Sequence, residues 1–258
     1  MFMPRWLGRL KQTMPLSAKS VLGWLNAYLG FLYPEVCQLC RENRATPSEG
    51  FVCAKCRAKV KYIELPLCDR SGLPFEGAIT TKFECGNCRE QELHFACARS
   101  AVVARDEVLD VIDRYKYHRA LWFEPFLAGF LIERSIPELT RDKWDLIVPI
   151  PLYPAKQRER EFNQAEVLAR DLARNQGWEF CDILQRIRYT VTQTHFDRRR
   201  RMKNLRQAFR VRRNAAVEGK RLLLVDDVLT TGSTLDECAR ILLRAGAEAI
   251  DALTVARG

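Results

Sequence analysis

Apolar residues cluster in two distinct patterns along the second half of the chain. Runs apolar at nearly every position occur at 100–104, 145–151, 222–225 with Val228, and 249–256. Such runs fit parallel strands covered on both faces, rather than half-exposed strands that alternate. Between them, apolar residues recur at helical spacing. Asp106–Ala120 places Val108, Leu109, Val111 and Ile112 inward, Leu121–Glu133 follows, Phe162–Ala173 turns Val167, Leu168 and Leu172 inward, and Leu235–Ala245 is the last helix. Trp178–Ile183 reads as a further short strand. Strands alternating with helices predict an α/β fold: a parallel sheet with helices on both faces and right-handed crossovers.

The first third of the chain is different. Residues 1–34 mix Arg5, Arg9, Lys11 and Lys19 with an apolar run from Val21 to Tyr33. That run is shorter than the roughly 20 residues a spanning helix needs, and Tyr33-Pro34-Glu35 is no signal-cleavage site. An amphipathic helix packed on the protein is expected, with no transmembrane segment and a cytoplasmic location. Beyond it, eight of the ten cysteines fall between Cys37 and Cys97. Cys37-x-x-Cys40 and Cys53-x-x-Cys56 can offer four thiolates tetrahedrally to one structural zinc, and four protein ligands leave no open position for catalysis. Cys68 and Cys85-x-x-Cys88 form a second set, but Ser71 stands where the partner of Cys68 is expected. Two readings stay open there: three thiolates with a stand-in such as Cys97 or His94, or a ribbon held without metal. The expected organisation is a helix over 1–34, a double zinc ribbon over 35–98, and an α/β domain over 99–258.

Candidate chemistry lies in Val225-Asp226-Asp227-Val228-Leu229-Thr230-Thr231-Gly232-Ser233-Thr234. Two carboxylates fall where a buried strand should end, followed by hydroxyls and a glycine at a helix start. Unpaired backbone N–H groups and the helix dipole favour an anion there, and Gly232 lets the backbone approach a ligand closely. Asp226 and Asp227 would repel a phosphate but suit ribose hydroxyls or a divalent cation. Thr234 and Glu237 fit a capping box. No Gly-Lys-Ser/Thr follows a strand, so this is not a Walker loop. Upstream, Lys156, Arg158 and Arg160 form a basic loop after the 145–151 strand, suited to a pyrophosphate or to solvation alone. His118, beside Tyr115 and Tyr117, reads as a surface or packing residue.

Charge sharpens the picture. The formal net charge is +10, and Arg186–Arg213 alone holds eleven Arg or Lys against one acid, Asp197. Such density implies a polyanionic partner or a solvated mobile loop. With Phe196 and Phe209 nearby, single-stranded nucleic acid is one candidate. The first half of this segment is expected to be a loop, and Arg199–Phe209 a basic helical turn or two.

The Asp226-Asp227 motif resembles the phosphoribosyl-pyrophosphate (PRPP) motif of type I phosphoribosyltransferases. Cys37/Cys40/Cys53/Cys56, Val148-Pro-Ile-Pro151, Phe162-Asn163-Gln164-Ala165, Thr190-x-Thr192-Gln193-Thr194 and Arg201-x-x-Asn204 with Phe209 extend the resemblance to the ComF family, which includes ComFC and GntX-type members. It covers about Leu29 to Ala256. The resemblance implies a type I phosphoribosyltransferase-like sheet after a double zinc ribbon. It implies Mg-PRPP as ligand, with Asp226 and Asp227 on the ribose hydroxyls and Thr230–Thr234 on the 5-phosphate. It also implies a link to DNA uptake in natural transformation, with single-stranded DNA and competence or recombination proteins as candidate partners. Two departures stand out: the family's Arg-Gly-Phe-Asn-Gln reads Arg160-Glu161-Phe162-Asn163-Gln164 here, and Ser71 replaces a usual cysteine. Two functions follow as expectations. One is phosphoribosyl transfer to an unidentified acceptor, with Thr190–Arg201 as a lid. The other is non-enzymatic single-strand binding, with PRPP as a vestigial or regulatory ligand.

Overall fold

The computed structural model describes residues 35–75, 77, 83–89, 92–134, 144–189 and 205–258. The helix expected over 1–34 and residues 190–204 of the basic segment, including Phe196 and the proposed lid, lie outside them. Among the described residues the strands are β1 (Cys97–Val103), β2 (Leu146–Pro149), β3 (Leu184–Arg186), β4 (Phe209–Val211), β5 (Arg221–Leu229) and β6 (Ala249–Arg257). The helices are α1 (Ala54–Arg57), α2 (Gly86–Arg89), α3 (Asp106–Tyr117), α4 (Glu124–Arg134), α5 (Pro154–Arg160), α6 (Gln164–Gln176) and α7 (Ser233–Arg244).

The main sheet has the order β1-β6-β5-β2 and is parallel throughout. The central strands are buried on both faces, which is why they are apolar at successive positions. Along β5, Leu223 and Val225 face a core built with α3, α4 and α6, whereas Leu222 and Leu224 face one built with α7 and the β3–β4 hairpin. Helices thus cover both faces of the sheet.

Three expectations need correction. Trp178–Ile183 forms no strand; Phe180 makes only an isolated parallel bridge to Ile147, on the edge of β2. The chain from Leu184 to Val211 is not all loop and helical turn, because β3 and β4 pair antiparallel, with Phe209 in β4. Leu109 is 42% exposed on α3, whose buried face is Val108, Val111, Ile112 and Tyr115.

The cysteine-rich region packs closely on the sheet. The Ile63 N–H donates to the Ala101 carbonyl and the Val103 N–H to the Lys61 carbonyl, so this segment borders β1. Cys37, Cys53 and Cys56 join the α3/α4 core, and Cys68, Cys85 and Cys88 join the α7 core. Arg57 stacks over Phe130 at 5.1 Å and pairs with Glu133 at 2.7 Å. Among the described residues no helix is long and apolar enough to cross a membrane.

Candidate functional site

Asp226 and Asp227 lie within β5, not beyond it, because β5 keeps pairing with β6 as far as Leu229–Arg257. On its other side β5 loses its partner early. β2 ends at Pro149, the Ile150 N–H donates to the Val225 carbonyl, and Pro151 has no N–H to continue the ladder. The edge of β5 therefore opens at the acid pair.

Adjacent residues in a strand point to opposite faces, and the two acids meet different surroundings. Asp227 is buried, and its Oδ1 accepts from Lys116 Nζ at 2.9 Å, with the two side chains 10% and 17% exposed. Burial acts to lower the Lys116 pKa, but the charges of Asp227 and Asp226 outweigh it and raise it overall. Burial and the neighbouring Asp227 charge push the Asp226 carboxyl up to about 7, against the opposing pull of Lys116 and Arg186. Asp226 Oδ1 also accepts the Asp227 N–H at 2.9 Å.

After β5 the chain turns through Thr230–Gly232 into α7, and Asp226 with residues 228–235 lines a small hollow. Gly232 has φ +78° and stands at the N-cap of α7. The expected capping box from Thr234 to Glu237 is therefore absent: Thr234 lies in the first turn, and Glu237 accepts from the Gln207 N–H and pairs with Arg240. Thr231 and Ser233 hydroxyls are 3.0 Å apart at the mouth of the turn.

The basic loop is helix α5. Lys156 and Arg160 are partly buried and Arg158 is exposed. Burial, then the charges of Arg160 and Arg186 among others, lowers the Lys156 pKa, so Lys156, Arg160, Arg186 and Lys116 share one electrostatic neighbourhood. A second cleft lies alongside, lined by Pro151, Asn163, Leu184, Arg186 and Arg212. Glu161, in place of the family glycine, ends α5 in the left-handed conformation at φ +68° and pairs with Arg119 at 2.9 Å. Asn163 caps α6 by accepting from the Ala165 N–H and donates to the Ile150 carbonyl, so this motif holds the turn in place.

Lys116 escaped sequence reasoning, although it sits between the two tyrosines that drew attention to His118, which is exposed. Arg186 was visible only as one member of the basic segment. Phe209 is buried beneath Arg186, 5.2 Å from its guanidinium, and offers no face for stacking. Tyr189, 55% exposed, is the aromatic on that surface among the described residues.

Cys37, Cys40, Cys53 and Cys56 place their sulfurs within 4.8 Å of one another. The Cys37–Cys56 and Cys40–Cys53 separations are both 3.8 Å, and a tetrahedral Zn–S bond of about 2.3 Å predicts about that spacing. Backbone N–H donors of Glu42 and Asn43 draw Cys40 down to about 6, while burial and neighbouring cysteines push Cys56 up to about 12. Four thiols this close need a cation to ionise together, so the residues fit zinc. Cys68, Cys85 and Cys88 form a second cluster. Neither suggested stand-in joins it: His94 Nδ1 is 3.1 Å from Asp236 Oδ1, and Cys97 lies in β1 with its N–H on Asp251.

Comparison with known proteins agrees with this architecture. Residues 28–99 match the double zinc ribbon domain family and residues 163–258 the phosphoribosyl transferase domain family. Competence protein F of Haemophilus influenzae is 31% identical over 86% of this chain and 96% of its own length. The chain belongs to the competence protein F (ComF) family. DNA utilization protein YhgH of Salmonella typhimurium is also 31% identical, over 87% of this chain and 97% of that protein. Competence protein ComFC of Bacillus subtilis is 29% identical over 80% of this chain and 84% of that protein. This ComF-family protein thus combines a double zinc ribbon with a phosphoribosyltransferase-type α/β fold.

Proposed function

We propose that this ComF-family protein binds Mg-PRPP at the open edge of β5 and transfers its phosphoribosyl group to a nucleophilic acceptor. The observation that carries the reading is the acid pair beside a hydroxyl-rich helix N-terminus, on a phosphoribosyltransferase-type sheet. Asp226 and Asp227 would accept from the ribose hydroxyls, and the Thr230–Thr234 turn would donate to the 5-phosphate. Lys156 and Arg160, with Lys116 and Arg186, would face the pyrophosphate, and the exposed Arg158 would add only long-range attraction. Mg²⁺, held through the ligand and the carboxylates, would neutralise charge on the pyrophosphate. In the transfer, the bond from ribose C1 to the pyrophosphate oxygen breaks as a bond from C1 to the acceptor forms. The protein's part is to hold the ribose still and stabilise the departing anion. Calorimetric titration with PRPP and Mg²⁺ tests this: binding is expected for the native chain and not for the Asp226→Asn/Asp227→Asn double variant. Equal affinity in the two would refute the assignment, and no pyrophosphate release across a panel of bases and nucleic acids would restrict the site to binding.

A second reading, single-stranded DNA binding in the cytoplasm in support of natural transformation, is favoured by the hairpin surface. Arg188, Arg206, Arg210, Arg212 and Arg213 are all exposed there, beside Tyr189. The names of the relatives, competence protein F and DNA utilization protein, agree with it. The two surfaces adjoin, since Lys156 Nζ lies 6.0 Å from the Tyr189 ring, so a DNA strand bound to the hairpin would end beside the β5 edge.

A further inference from the structure

The second cysteine cluster is not missing its fourth corner. The Ser71 hydroxyl lies 3.4 Å from Cys85 Sγ, and the Cys68, Cys85 and Cys88 sulfurs lie within 4.8 Å of one another, so it stands against the thiol cluster. The thiols themselves are 3.5 Å apart for Cys85–Cys88 and 3.7 Å for Cys68–Cys88. Tetrahedral zinc with three sulfurs at about 2.3 Å and one oxygen at about 2.0 Å predicts S···S near 3.8 Å and O···S near 3.5 Å. Ser71 is only 6% exposed, and its N–H, like that of Cys85, points to Cys68 Sγ. These donors match those that stabilise a metal-bound thiolate. A neutral hydroxyl replacing a thiolate removes one negative charge and one soft donor, which weakens the site for zinc relative to the four-thiolate cluster.

This cluster also braces the turn before α7. The Ser71 carbonyl accepts from Arg257 Nη1 at 2.8 Å, and Gly258, the next residue, donates its N–H to the Leu229 carbonyl at the end of β5. Past α2, the His94 N–H and ring bind Asp236 Oδ1, in the first turn of α7, at 2.7 and 3.1 Å. The Phe95 ring packs under Gly232, where an added Cβ would already sit 3.7 Å from it.

We propose that the second ribbon holds zinc through Cys68, Cys85, Cys88 and the Ser71 hydroxyl, and that this weaker site, by its occupancy, sets the order of the Gly232–Asp236 turn. The full chain, loaded with zinc, is challenged with a chromogenic chelator while metal content is measured by mass spectrometry. Two zincs leaving in two phases separated by about tenfold or more are expected. Ser71→Cys should merge them into one slow phase, and Ser71→Ala should speed the fast one. A single bound zinc, equal release of both in the native chain, or biphasic release unchanged in Ser71→Cys would each overturn hydroxyl ligation. After the fast zinc has left, amide hydrogen exchange over 230–238 should accelerate about tenfold in the native chain and not in Ser71→Cys. Unchanged protection would overturn the coupling. Both readouts follow metal and amide protons, so they stand apart from whether PRPP is the ligand.

Discussion

Replacing Lys116 with Met removes the cation on Asp227 and keeps most of the side chain's packing. The pair is short, at 2.9 Å, with side chains only 17% and 10% exposed. Removing one partner of a buried pair costs about 3–5 kcal/mol, and the residual exposure here argues for the lower end, about 3 kcal/mol at pH 8. The loss should depend on pH. Asp226 already sits at about 7, with Lys116 among the charges holding it down, so its carboxyl rises further in the variant. A raised carboxyl binds a proton more readily in the folded state, so the variant regains stability as pH falls. Each tenfold gain in proton affinity is worth about 1.4 kcal/mol, so the deficit should shrink by about 1 kcal/mol between pH 8 and pH 6. Urea denaturation of zinc-loaded protein at both pH values would measure this, and the melting temperature at pH 8 should fall by about 6–12 °C. A loss below about 1 kcal/mol at pH 8, or the same loss at both pH values, would refute the view of Lys116 as the buried counter-charge of the acid pair.

Three further outcomes are expected. Glu161→Gly should stabilise the protein by about 1 kcal/mol in urea titrations, since glycine removes the cost of φ +68° and the exposed Arg119 pair contributes little; destabilisation would show that the pair outweighs the backbone cost. Asp226→Asn should gain stability relative to the native chain between pH 5 and pH 8, because a carboxyl raised to about 7 costs the folded state progressively as pH rises from about 4 to 7. The partial exposure of Asp226 limits that gain to about 2 kcal/mol, and a difference independent of pH would contradict the raised carboxyl. Changing Arg188, Arg206 and Arg210 to Gln should reduce the slope of log affinity against log salt for single-stranded DNA by about 2; an unchanged slope would remove the hairpin from any DNA-binding surface.

Much of the architecture follows from local pattern. Short uninterrupted apolar runs alternating with helical patterns suit strands buried on both faces, and β2, β5 and β6 fell where those runs lie. Cysteine spacing marked both clusters, because each Cys-x-x-Cys turn places two sulfurs on one side of a tight bend, ready to share an ion with further thiols. The run from Asp226 to Thr234 located the site for the same reason: strand, acids, turn and helix start are contiguous in the chain. What could not be read locally was everything that depends on partners distant in sequence. The hairpin β3–β4 joins segments that each lack a strong period, and α5 was hidden in what composition suggested was a loop. Lys116 meets Asp227 across 111 residues of chain, and His94 meets Asp236 across 142. The fourth corner of the second cluster was decided by tertiary structure too: sequence nominated His94 and Cys97, while packing turned the His94 ring to Asp236, placed Cys97 in β1 and left the Ser71 hydroxyl against Cys85. Periodicity reports which face of an element is buried, but only the packed sheet determines which charge that face meets there.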